Sequence, residues 1–120
     1  MSGESESRSR SLDKMAKERA KKTDRIVEQS TRFAKAKRKL HAKAQLALDD
    51  QVKTLIEDPL LGEPKTGALA GVRVVKFKVD RQQWLLAYEF SERRNAIELF
   101  DLGSHENFYR DLQNYVAARP

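Results

Sequence analysis

His105 and Tyr109 lie four residues apart near the C-terminal end of the chain. An imidazole, with an unperturbed pKa near ~6.5, can give or take a proton at neutral pH. Four residues are about one helical turn, so the phenol can face the same groove as the imidazole. Lys76 and Lys78 stand two apart in an alternating stretch, which points both to one face of a strand. Such a pair can hold an anion, and the set as a whole permits proton transfer beside it. Each residue also has a plainer role. The histidine can sit in a loop or cap the following helix. The tyrosine can pack the last helix on the sheet, although Phe108 is the better candidate for that. The lysines can line a solvent-facing strand edge.

Other groups are weaker candidates. Trp84, Tyr88 and Phe90 share one face of the next strand. Aromatic rows can stack bases, but a row like this one more often belongs to the core. Lys35, Lys37, Arg38 and Lys39 crowd an earlier helix, where facing water is the default. The two histidines, His41 and His105, are far apart, and with no cysteine or clear carboxylate cluster the sequence suggests no metal and no cofactor.

The elements that must position these groups follow from periodicity and breakers. Residues 1–14 are polar and Ser-rich and should be disordered, because they bury too little surface to offset ordering entropy. Residues 15–23 can form a frayed turn or two, and Met15 is a second candidate start beside Met1. Residues 25–29 are compatible with a short strand. Phe33, Ala36 and Leu40, then Ala44, Leu48, Val52, Leu55 and Ile56, recur at helical spacing. They predict two helices, or one bent near His41, that end where Pro59 forbids continuation. The run PLLGEPKTGALAG at 59–71 marks a loop. Three strands follow at 72–79, 84–90 and 96–102, with turns at 80–83 and 91–95. Short connections make them antiparallel, and the middle strand is apolar enough to be covered on both faces. A short helix at 106–118 closes the chain.

Length and charge bound the reading. The chain has 120 residues, of which 39% are apolar and 35% charged, enough for one modest domain. Residues 1–45 hold 14 Lys/Arg against 6 Asp/Glu, whereas residues 46–120 hold 10 against 12. A basic segment joined to a near-neutral body suggests a polyanion partner, though a solvated basic tail accounts for it equally well. No run approaches the about 18 apolar residues of a membrane helix, and the N-terminus lacks a secretory pattern. The absence of cysteine fits a reducing cytoplasm.

The order β, α, α, β, β, β, α, with the residues at its joints, resembles the RelE/ParE superfamily of type II toxin–antitoxin systems from Asp24 to Arg110. The similarity is carried by FAKAKRKL at 33–40, IEDPLLG at 56–62, LAGVRVVKFK at 69–78, LLAY at 85–88 and LGSHENFY at 102–109. Its sharpest element is the Gly-X-His-X-X-X-aromatic ending at Gly103, His105 and Tyr109. The resemblance implies an α+β domain over 24–120, with 1–23 as a basic extension. A small antiparallel sheet would pack against two N-terminal helices and carry a short C-terminal helix, and an antitoxin would neutralise the whole.

The superfamily divides into toxins that cut mRNA, usually at the ribosome, and ParE-like toxins that poison DNA gyrase, and fold alone does not choose between them. In the cutting branch, paired lysines at the positions of Lys76 and Lys78 line the RNA groove, and a histidine at the position of His105 is catalytic. Tyr109 would then be a second proton-transfer or orienting group. Lys35, Lys37, Arg38 and Lys39 would suit ribosomal RNA or an acidic antitoxin segment. Leu85 departs from the pattern, since that branch often carries an arginine there. The implied function is a metal-independent mRNA endonuclease that arrests translation in the cytoplasm. The alternatives are a gyrase inhibitor and a non-toxic RNA-binding relative.

Overall fold

A computed structural model describes residues 24–104 and 108–118. The expectations for residues 1–23 and for His105 lie outside the described residues. Strand β1 (Ile26–Gln29) leads through Ser30 into α1 (Thr31–Arg38). The Ser30 hydroxyl accepts from the Phe33 amide at 2.9 Å and donates to the Phe100 carbonyl at 2.7 Å. It therefore caps the helix and ties its start to the sheet. His41 breaks the helical path, as the spacing predicted, and its ring Nδ1 caps α2 (Ala42–Glu57) by accepting from the Ala44 amide. Asp58 and Pro59 end that helix.

The sheet has five strands in the order β1-β5-β4-β3-β2, where β2 is Glu63–Pro64, β3 Arg73–Val79, β4 Gln82–Ser91 and β5 Ala96–Gly103. The three long strands pair antiparallel through short turns, as expected. The sheet as a whole is mixed rather than antiparallel, because β1 runs parallel to β5. Its register is held by the Ile26 amide on the Asn95 carbonyl and the Ser30 amide on the Leu99 carbonyl. The β3–β4 turn is tighter than the four residues expected. Only Asp80 and Arg81 lie between paired residues, with Asp80 at φ 58°, where an aspartate is better tolerated than most residues.

Both faces of the sheet are covered. On one, Phe33, Leu48 and Leu55 of the two N-terminal helices pack on Val75, Leu86, Tyr88, Ile97, Leu99 and Leu102. On the other, α3 (Phe108–Ala118) and a 3-10 turn (Gly67–Leu69) cover Val72, Val74, Leu85, Ala87 and Phe100 through Phe108, Leu112 and Leu69. A bulge in β5 makes this possible: Ala87 pairs with Asp101 and Tyr88 with Leu99, so Phe100 is the extra residue. Leu99 and Leu102 then face the same helices, and Phe100 is free to meet the Tyr115 ring edge-on at 6.2 Å.

The aromatic row of β4 is core, not a stacking platform. Tyr88 is fully buried, and Trp84 and Phe90 pack against the same cluster. The Tyr88 hydroxyl donates to the Pro59 carbonyl at 2.8 Å and accepts from the Gly62 amide at 2.8 Å. Burial pushes its phenol above the ordinary value, and the Gly62 bond opposes that rise. The loop after α2 is thereby pinned to the sheet, and Arg73 adds two bonds from its guanidinium to the Leu60 and Gly62 carbonyls.

Candidate functional site

The face under α3 carries the candidate residues Lys76 and Lys78, with Tyr109 packed against it. Alternation along β3 sends Val74 beneath α3, and Lys76 and Lys78 follow on the same face, both exposed to solvent. Across β4, Lys76 is opposite Leu85 and Lys78 is opposite Gln83, while Leu85 is in turn opposite Gly103 of β5. Lys76 therefore borders an apolar floor. Leu85 is 8% exposed, held in the cluster with Phe108. The neighbourhood where the resembling branch carries an arginine is sealed by packing.

Gly103 sets where α3 begins. A Cβ there would lie 2.8 Å from Phe108 Cδ1, well inside contact distance, so the glycine lets the helix settle directly on the sheet. Tyr109 follows. Its ring meets Phe108 edge-on at 5.4 Å, and the Lys65 ammonium lies 5.0 Å from its centroid. Lys65 also pairs with Glu63 at 3.0 Å.

Glu63 is opposite Val74 in register, one alternation short of Lys76. The Lys65 hydrogen bond and charge hold its carboxyl below the ordinary range, with a smaller contribution from Lys76. The same hydrogen bond raises Lys65 above the usual lysine value, against the effect of burial. Both groups are therefore charged at neutral pH.

The structure thus brings Lys76, Lys78 and Tyr109 to one face and adds Lys65 and Glu63, which the sequence places only within the 59–71 loop. Their one advance signal is spacing: two charges flank a proline, and residues two apart share a face once the segment is extended. His105, between Ser104 and the start of α3, lies outside the described residues. Among the described residues no group of three or more His, Cys, Asp and Glu side chains is placed to hold a metal ion. No helix among them is long and apolar enough to cross a membrane.

The cationic cluster of α1 is divided. Lys35 and Lys39 line a groove of about 510 Å³ with Arg32, Leu40, Trp84 and Ser104. Lys37 turns instead to Asp49 at 3.1 Å and borders a second groove of about 430 Å³, beside Val27 and Leu46. Arg38 is exposed and lines neither groove. The four do not form one surface. Arg32, next to them, pairs with the buried Asp101 at 2.8 Å and lies 5.5 Å from the Tyr115 ring of α3. It joins α1, the bulge and the last helix.

What this arrangement can do is hold a polyanion along β3 and its edge with a phenol close by. Comparison with known proteins agrees in fold. The family model described as a ParE-like toxin of type II bacterial toxin-antitoxin systems matches residues 26–113. A double arginine-to-alanine variant of Escherichia coli RelE in the free state is 15% identical with a TM-score of 0.63, and the match covers 78% of this chain and 94% of that one. A RelBE toxin–antitoxin complex from Mycobacterium tuberculosis is 18% identical with a TM-score of 0.60, covering 68% and 98%. The intact E. coli RelBE complex is 17% identical with a TM-score of 0.58, again covering 68% and 98%. At such identities the likeness is one of fold. No curated protein sequence matches significantly.

Proposed function

We propose that this chain, which belongs to the family described as ParE-like toxins of type II bacterial toxin–antitoxin systems, arrests growth as a metal-independent endoribonuclease cutting mRNA on the ribosome. The candidate site supports that activity, and family membership alone does not select it. One observation carries this reading: Lys76, Lys78 and Tyr109 share a face of the sheet, with cations at the rim and a phenol at the start of the overlying helix. In the reaction the 2′-oxygen gives up its proton and attacks phosphorus. The bond to the 5′-oxygen breaks, and that oxygen takes a proton, leaving a cyclic phosphate and a free hydroxyl. Lys76 and Lys78 offset the charge on the phosphate. His105 gives or takes a proton, and Tyr109 is a second proton-transfer or orienting group. The RelBE neighbours are complexes with an antitoxin, and a cognate antitoxin is the neutralising partner we assign to this chain.

Leu85 favours a second reading. Without an arginine in the middle of the face, the protein can act by binding alone, as a gyrase inhibitor. Induction in cells separates the two. The nuclease produces mRNA ends in codon register and stops translation. A gyrase poison leaves messages intact, blocks supercoiling in vitro and provokes a DNA-damage response, and that outcome would remove the nuclease reading. Within it, His105→Ala should lower cleavage by about 10²–10⁴-fold at unchanged antitoxin binding. Lys76→Ala and Lys78→Ala should weaken RNA binding, and Tyr109→Phe should slow cleavage while the ring stays packed.

A further inference from the structure

We propose that Lys65 is a third phosphate-holding cation of this face, and that Glu63 is the anion that occupies it until RNA arrives. The proposal rests on the RNA reading of the same site and names an interaction within it. Backbone placement comes first. The Lys65 amide donates to the Val72 carbonyl at 2.9 Å, and Glu63 is opposite Val74. Going along the outer two strands, the charged side chains come in the order Lys65, Glu63, Lys76, Lys78. Three cations and one carboxylate thus follow the edge of the face on which Tyr109 lies.

Beside Lys76 the face offers no charge, because Leu85, opposite it, is packed in the cluster with Phe108. Cations can reach a bound phosphate only from the rim. Lys65 is suited to this. Its side chain is 23% exposed against 67% for Glu63, and its ammonium lies against the Tyr109 ring at 5.0 Å. Contact with the ring and burial of the stem limit its freedom, so the charge is already in place. Its partner is the opposite case: a solvated carboxylate in a screened pair contributes little and is easily exchanged. A phosphate oxygen offers the ammonium the same acceptor chemistry with more charge. The same placement puts the Lys65 charge beside the phenol, which makes Lys65 a positioning residue for Tyr109 as well.

A purely structural pair predicts that removing either partner has the same effect. The RNA interaction predicts opposite effects, since Glu63 repels the phosphate that Lys65 attracts. The full-length protein is titrated with a fluorescein-labelled 2′-O-methyl oligoribonucleotide, which cannot be cleaved, across a salt series. Lys65→Ala should bind roughly five- to tenfold more weakly, with a slope of log affinity against log salt shallower by about 0.7. Lys65→Arg should restore binding, and Glu63→Gln should bind more tightly than the unaltered protein. Glu63 is exposed, so its variant folds and decides the matter by sign even if Lys65→Ala does not fold. If the unaltered protein binds but both variants weaken together, or neither changes, the assignment is overturned and the nuclease reading stands. If the unaltered protein neither binds the oligonucleotide nor cleaves mRNA, the RNA reading fails and takes this assignment with it.

Discussion

Tyr88 and Tyr109 carry the same hydroxyl into opposite circumstances. Tyr88 is enclosed, and its two hydrogen bonds hold the turn at Pro59 and Gly62 against the sheet. Replacing it with Phe leaves the Gly62 amide without its partner. Tyr88→Phe should therefore cost about 1–3 kcal/mol, read from urea unfolding at neutral pH. The pH dependence has a definite sign. Burial raises the folded phenol above its ordinary value of 10.0. Below that value folded and unfolded chains both keep the proton, and the contribution is complete. As pH rises above it the unfolded chain ionises first, and stability falls until the folded phenol ionises too. The unaltered protein should lose stability between about pH 9 and about pH 11 more steeply than Tyr88→Phe. Equal slopes would mean that Tyr88 does not hold its proton more tightly when folded. Tyr109 is instead half-buried, with its ring 5.0 Å from the Lys65 ammonium.

Among the elements, α3 matters most for the site, and Gly103 governs where it lies. A methyl at that position would need to move Phe108, which is fully buried, rather than the end of a flexible chain. Gly103→Ala should cost about 1–3 kcal/mol through overpacking and displace the first turn of α3, so toxicity should fall with the melting temperature. Unchanged melting would show that the sheet yields more readily than the close approach implies. The sequence marks Gly103 as a strand breaker, and the strand does end there. Its closer purpose depends on Phe108 returning over it, which no local pattern records. The two N-terminal helices are legible because apolar spacing lapses at His41, and Lys76 and Lys78 because a strand alternates. The parallel pairing of β1 is not, since four residues carry no register of their own. Nor is the bulge at Phe100, which the partner strand defines. Asp49 draws Lys37 away from Lys35 and Lys39, a separation that a run of neighbouring cations does not disclose.

Across the whole molecule the sheet divides two positive surfaces. Lys76, Lys78 and Lys65 border the face under α3, and Lys35 and Lys39 border a groove on the helix side with Trp84. The groove is also lined by Ser104, where the chain leaves the last strand toward His105. If the α1 lysines serve docking on ribosomal RNA and the β3 lysines serve the reacting phosphate, substitutions on the two surfaces should separate kinetically. The Lys35→Ala, Lys39→Ala double variant should raise KM for ribosome-bound message with little change in kcat, because it removes binding shared by ground and transition states. Its ribosome affinity should also depend less steeply on salt, by about 0.7–0.9 in slope for each phosphate no longer neutralised. Lys76→Ala should lower kcat in addition to weakening binding, since charge at the scissile phosphate grows in the transition state. Lys37→Ala is the internal control: Lys37 borders the other groove, away from Lys35 and Lys39, so it should alter neither constant much. Stopped-flow cleavage on programmed ribosomes compares these variants with the unaltered protein under one condition. If the α1 double variant lowers kcat as much as Lys76→Ala does, the two faces form one continuous RNA path around the end of the sheet, and the division into docking and reacting surfaces is wrong.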